Sequence, residues 1–222
     1  MEPDAASSAG ADFDTVTVPL LQAALVGTTE LPPRRFSPAD FPTGFERWVP
    51  DGLLQSLRPA AVLIAVLRRP EGPTVLLTKR SEQLRAHQGQ VSFPGGRRDD
   101  DDDTLAWTAL REANEEVGLA PESVRVLGYL DDYPTLTRYR VTPVVGVVDV
   151  PPPVWRPEPG EVAEVFELPL ARVLQLSTYR QRSLLREGIR LPFYELEHGR
   201  HRIWGATAGM LRQLALTVNG HV

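Results

Sequence analysis

The sequence predicts a single mixed α/β domain, and three observations carry that prediction. A continuous apolar run, AAVLIAVL at 60–67, has the composition of a strand buried on both faces. The stretch 104–117 has the 3.6-residue periodicity of an amphipathic helix. Further strand-like and helix-like segments alternate irregularly around these two, as in a mixed sheet with helices packed on it. The 222 residues suffice for one sizeable core, and 42% hydrophobic with 24% charged residues is the mixture of a globular protein.

Taken in order, residues 1–12 are acidic and rich in small residues and read as a disordered tail. Residues 13–57 combine a short amphipathic stretch with the Pro-rich connector LPPRRFSPADFP and read as an N-terminal arm packed on a domain at 58–218. After the strand at 60–67, a turn at 70–73 leads into TVLLTKR, its hairpin partner. A short strand at 90–93 precedes a glycine turn at 94–96. The helix at 104–117 follows five aspartates and ends before Gly118, both favourable to its termini. Strands follow at 124–130 and 141–150, then the loop PPPVWRPEPG, then EVAEVFELPL, a strand turning into a short helix. Segments 189–196 and 202–204 form a last hairpin, and 206–216 a closing helix, all around one sheet.

Composition excludes several functions. A net charge of −5 does not suit a broad nucleic-acid surface. With no cysteine there is no disulfide, thiol nucleophile or thiolate metal site, which fits a reducing compartment. VPLLQAALV is too short to span a bilayer and follows acids, so neither a membrane span nor a signal peptide is expected. A cytoplasmic protein is the default expectation, with its oligomeric state open and a homodimer compatible.

The chemistry concentrates in REANEEVGL, 111–119. With about 100° per residue on a helix, Glu115 falls about −60° and Glu116 about +40° from Glu112, so the three share one face. Ala106, Leu110, Ala113 and Val117 lie on the other side. Like charges so placed repel, and a divalent ion offsets the repulsion; hard oxygen ligands suit Mg²⁺ or Mn²⁺ with substrate phosphates. A solvated acidic face is the alternative. Arg111, four residues before Glu115, can fix its rotamer. Two glycines, Gly95 and Gly96, allow a loop to approach a ligand closely.

These residues resemble the Nudix hydrolases, whose signature is G-x5-E-x7-R-E-U-x-E-E-x-G-U, with U aliphatic. Arg111, Glu112, Ala113, Glu115, Glu116, Gly118 and Leu119 match its second half. The first half departs: Asp103 stands where the earlier glutamate belongs, Arg97 where the glycine belongs, and Gly96 comes one residue early. Over about 60–216 the chain is similar to the coenzyme A pyrophosphatases. LLTKRSEQLRAHQGQVSFPGG resembles their second motif, through Arg80, Ser81, Arg85, Gly89 and the FPGG at 93–96.

The resemblance implies a Nudix-type α/β/α sandwich and Mg²⁺- or Mn²⁺-dependent cleavage of the pyrophosphate of coenzyme A or a derivative. Glu112 and Glu116 then hold metal with Glu115 in support, and a further acid, Glu161 or Glu164, serves as ligand or base. Five basic residues against one acid between 79 and 98 suit an anionic substrate, with Arg80 and Arg85 as phosphate contacts. Arg97 and Arg98 read as partners of the aspartates, Glu167 as exposed, and His87 as a structural hydrogen-bonder. Hydrolysis of another nucleoside diphosphate derivative such as ADP-ribose, or a silent nucleotide-binding domain, are the other readings.

Overall fold

The computed structural model describes residues 13–30, 56–83, 88–186 and 189–220. The proposed tail at 1–12, most of the connector at 31–55, and Arg85 and His87 lie outside the described residues. Strand β1 (Arg58–Leu67) is the centre, because both of its edges and both of its faces are covered. One edge pairs in parallel with β7 (Tyr139–Val148) over its whole length, from Arg58↔Tyr139 to Leu67↔Val148. The other edge is shared. Its C-terminal end pairs with β2 (Thr74–Arg80) at Val66↔Val75, and its N-terminal end with β4 (Gly95–Arg97) at Val62↔Gly95.

β2 continues past β1 to pair with β3 (Val91–Ser92), and its other edge pairs with β8 (Val162–Pro169) along its whole length. β5 (Arg125–Tyr129) and β6 (Tyr133–Pro134) pair with β7 and complete the mixed sheet.

Side chains alternate across this sheet, as strand geometry requires. Ala61, Leu63, Ala65 and Leu67 face the helix α2 (Leu105–Val117) and bury Ala109, Ala113 and Val117 with them. Ile64 and Val66 face the opposite layer. There they meet Leu21 and Leu25 of α1 (Val18–Leu25), Leu170 and Val173 of α3 (Leu170–Leu174), and Leu211 and Leu214 of α4 (Ala206–Val218). The result is an α/β/α sandwich with a mixed sheet between helices. Among the described residues no helix is long and apolar enough to cross a membrane.

α2 is capped from two directions. Thr104 accepts a hydrogen bond from the Trp107 amide (3.0 Å), and Gly118 ends the helix in a left-handed conformation (φ 71°). The Glu30 carboxylate, from the N-terminal segment, accepts from the amides of Leu105 (2.9 Å) and Ala106 (3.2 Å). An anion over free N–H groups is favourable at a helix start, so that segment helps fix the helix.

Two expectations need correction. The sheet is not alone: a second, antiparallel sheet is formed by β9 (Arg180–Arg186), β10 (Ile189–His198) and β11 (His201–Trp204). β9, RQRSLLR, has no apolar alternation to announce it, because it is a largely exposed edge strand. Gly95 and Gly96 are not a bare turn but strand residues of β4. The space over Gly95 is filled by the chain itself, since a Cβ there would stand 2.4 Å from the Ala61 carbonyl oxygen and 2.6 Å from Val62 Cα.

That contact is with backbone and cannot yield cheaply. Gly95→Ala is therefore expected to destabilise the protein by about 1–3 kcal/mol, measured by urea unfolding. An unchanged midpoint would contradict the β1–β4 packing.

Candidate active site

One buried ion pair organises the site. Asp102 is 3% exposed and takes a two-pronged contact from Arg111, Nε to Oδ1 at 3.0 Å and a terminal nitrogen to Oδ2 at 2.9 Å. The Thr108 hydroxyl (3.0 Å) and the Asp99 amide (3.0 Å) also donate to it. The Arg111 guanidinium, with these further donors, holds the Asp102 carboxyl down at about 2. Arg98 donates to the Asp102 carbonyl (2.9 and 3.1 Å) and Arg97 to Asp99 (3.1 Å), so both serve the aspartate loop.

The aspartate that Arg111 grips is thus Asp102, not Asp103. Counting eight back from Arg111 reaches Asp103, whereas counting six forward from Gly96 reaches Asp102, and the extra residue falls after it. The forward count was the signal available in the sequence.

Arg111 also fans over the glutamates of its own helix. A terminal nitrogen lies 3.0 Å from Glu112 and 3.2 Å from Glu115, the contact four residues apart expected of it. Glu115 stays exposed at 58%. Glu112 is half-buried, and burial raises its carboxyl while Arg111 draws it down and Glu115 and Glu161 raise it further. Gly96 is what leaves it room, since a Cβ there would stand 2.4 Å from the Glu112 carboxyl carbon.

Glu116 does not share the solvated face that a helical wheel assigns it. It is 3% exposed, and its Oε2 is buried with no hydrogen-bond partner. Burial pushes its carboxyl up to about 8; Arg80 draws it down, Glu112 and Glu161 raise it, and the Gly95 backbone lowers it. The cover comes from β4 and from the Pro-rich loop, which docks through the Arg156 amide on the Val117 carbonyl (3.0 Å) and the Glu158 amide on the Glu116 carbonyl (2.9 Å).

The structure therefore brings Glu112, Glu116, Glu161 and Arg80 within electrostatic reach of one another. Glu161 is exposed and tethered by its carbonyl, which accepts from the Ser81 amide (2.8 Å). Glu164 turns to other work, paired with Arg200 (2.6 Å) and His201 (3.3 Å). Glu167 is not merely exposed. It gathers Arg69 (2.6 Å), Thr74 (2.6 Å) and Trp155 (3.3 Å), and these bonds outweigh burial and lower its carboxyl. Trp155 is thereby held at the sheet rather than in a pocket of its own.

The donor set fits a divalent metal. A buried carboxylate oxygen without a partner beside further carboxylates is the chemistry a hard cation satisfies. Among the described residues no three acids or imidazoles close into a ready cage. That is compatible with Mg²⁺, which keeps several waters and takes substrate oxygens as ligands.

Beside this cluster opens a cleft of about 450 Å³ with Arg80 in its wall. Val62, Phe93, Val141 and Met210 line one side, and Leu184, Leu191, Phe193 and Trp204 of the second sheet the other. Arg80 Nε is buried without a partner, so this guanidinium joins the carboxylate cluster to an apolar chamber.

Several known proteins resemble this chain. The family described as NUDIX domain matches residues 57–187. A Cronobacter sakazakii protein named Uncharacterized Nudix hydrolase NudL is 47% identical over 163 residues, covering 72% of this chain and 83% of that protein. A protein of the same name from Escherichia coli is 46% identical over 167 residues, with the same coverage. A solved structure described as a Nudix hydrolase from M. Smegmatis, RenU, aligns at TM-score 0.45 and 26% identity over 52% of this chain and 73% of that one.

Two stability measurements check the electrostatics. Glu116 has a folded-state pKa above its ordinary 4.5, so its contribution is full below that value and is lost as pH rises through about 8. Glu116→Gln should then stabilise the metal-free protein at pH 8 by on the order of a few kcal/mol; a lower melting temperature would contradict its burial as an unpaired acid. Asp102 has the opposite sign, contributing stability above about 4 that is lost as pH falls towards about 2. Asp102→Asn should cost about 2 kcal/mol at neutral pH, with the difference vanishing in acid. A pH-independent difference in denaturant titrations would refute that pairing.

Proposed function

From the premise that this chain belongs to the Nudix family and is a Nudix hydrolase, we propose that it cleaves the pyrophosphate of coenzyme A or a derivative. The products are 3′-phosphoadenosine 5′-phosphate and 4′-phosphopantetheine. The observation that carries the reading is Arg80, a residue of the coenzyme A-type motif LLTKRSEQLRAHQGQVSFPGG. Its guanidinium, with Nε buried, stands beside both the Glu112–Glu116 cluster and the apolar cleft. A pyrophosphate flanked by a nucleoside on one side and a long arm on the other needs those two neighbours, one anionic and metal-holding, one apolar.

Glu112 and Glu116 would hold Mg²⁺ or Mn²⁺, with Glu115 in support. When bound, the ion supplies positive charge for the phosphate oxygens and makes a nearby water more acidic. Arg111 keeps Glu112 and Glu115 in position while its other edge grips Asp102. Arg80 contacts the pyrophosphate through its guanidinium, which is suited to paired oxygens. Arg85, outside the described residues, is assigned a second phosphate contact.

Water attacks one phosphorus in line, its new O–P bond forming as the bridging P–O bond breaks. Glu161 takes the proton that the water loses, and the departing bridging oxygen leaves on the other phosphate. Of the two acids considered for this task, Glu161 is favoured because Glu112 and Glu116 feel its charge. Glu164 is engaged by Arg200. Gly95 and Gly96 support the site by letting β4 approach β1 and Glu112 closely.

Mass spectrometry of coenzyme A incubated with the protein and Mg²⁺ should reveal the two products above, and EDTA should suppress both. Glu116→Gln should lower kcat by on the order of 10²-fold or more while the protein still folds. Preferential turnover of ADP-ribose would overturn the substrate assignment, and hydrolysis that survives EDTA would overturn the mechanism.

A further inference from the structure

The wall of the cleft contributed by the second sheet carries an arrangement that hydrolysis at Arg80 does not use. Directly opposed residues in an antiparallel pair lie on the same face. Leu191↔Leu184, Phe193↔Arg182, Glu195↔Arg180, Glu195↔Trp204 and Glu197↔Arg202 therefore share one face of β9–β11. Leu184, Leu191, Phe193 and Trp204 of that face line the cleft.

Glu195, only 7% exposed, lies at its centre. Arg182 donates Nε to one of its oxygens (2.7 Å), and Arg202 donates Nε (2.9 Å) and a terminal nitrogen (2.7 Å) to the other. The Arg202 guanidinium also lies over the Trp204 ring (5.5 Å) and near the Phe193 ring (5.9 Å). Those two rings meet edge to face at 5.4 Å.

The two arginines are thus immobilised without being used up. Their side chains remain 51% and 56% exposed, and each guanidinium has five donors, of which the bonds to Glu195 occupy one in Arg182 and two in Arg202. Three arginines, Arg180, Arg182 and Arg202, face two acids, Glu195 and Glu197, leaving the patch positive. A charge fixed in advance on an aromatic rim loses little entropy on binding a planar base that bears an anion.

We propose that Arg182 and Arg202, braced by Glu195 at the aromatic rim of the cleft, form a second anion subsite for a phosphomonoester on the nucleotide half of the substrate. The choice of a 3′-phosphate as occupant rests on the coenzyme A reading above. Trp204 and Phe193 offer the stacking surface for the attached base, while Arg80, also in the wall of the cleft, keeps the pyrophosphate. Recognition of the two phosphate groups is thereby divided between two sheets.

Calorimetric titration of the full chain with adenosine 3′,5′-bisphosphate and with AMP, both with Mg²⁺, tests the subsite without requiring turnover. The wild type should bind the bisphosphate at least about tenfold more tightly. Arg182→Lys and Arg202→Lys keep a positive partner for Glu195, so the fold should survive, yet they lose the planar fork. Each should erase most of the preference while leaving AMP affinity nearly unchanged. Arg190→Ala, on the opposite face of β10, should retain it. Equal binding of the two ligands by the wild type would overturn the inference, as would Lys variants that keep the full preference. If coenzyme A is not hydrolysed but the preference maps to these arginines, the substrate assignment falls and the subsite stands.

Discussion

A carboxylate cannot be kept in a protein interior without a partner unless something offsets the cost of removing it from water. Glu116 comes close to that limit, with its Oε2 buried and lacking a hydrogen-bond partner, on a helix whose neighbouring turns are packed in the core. Much of the local architecture attends to that constraint. The Pro-rich loop binds the Glu116 carbonyl through Glu158, β4 covers the same turn, and Arg80 brings a guanidinium to its side chain. A protein selected only for stability would place leucine there. The buried acid is understandable as a group kept for a cation.

The fold delivers these parts through the shared edge of β1. β2 and β4 divide that edge, and the opposite edge of β2 pairs with β8 along its whole length, which brings Arg80 and Ser81 alongside Glu161. The pairing slips by one residue between Lys79 and Arg80, an irregularity of the kind found where a strand must re-aim its side chains. On the other side, β4 runs so close to β1 that a side chain at 95 would strike the β1 backbone, while one at 96 would displace the Glu112 carboxylate. Arg111 and Asp102 then lock the loop between β4 and α2, so the acids of the helix start from a fixed frame.

How much of this was legible depended on whether the signal was local. α2 and β1 were readable because periodicity and an unbroken apolar run are properties of the segment alone. The REANEEVGL acids and their arginine were likewise adjacent in the chain, and the contact between Arg111 and Glu115 follows from helix geometry. Asp102 was missed by one position because its role depends on where the extra residue sits, which spacing from Arg111 does not reveal. The burial of Glu116 and the role of Glu167 were invisible for a different reason. Both are set by segments distant in the chain: β4 and Glu158 for Glu116, and Arg69 and Thr74 for Glu167. β9 gave no periodic signal because an exposed edge strand needs none, yet it supplies Leu184 to the cleft.

Glu116 and Glu112 are the proposed ligands of the divalent cation. Binding of Mn²⁺ to the substrate-free protein, followed by electron paramagnetic resonance of the free ion, tests that assignment without reference to any substrate. The wild type should bind Mn²⁺ saturably, with binding strongly weakened in both Glu116→Gln and Glu112→Gln and unaffected in Glu164→Gln. Undiminished Mn²⁺ binding in the Glu116 and Glu112 variants would contradict it.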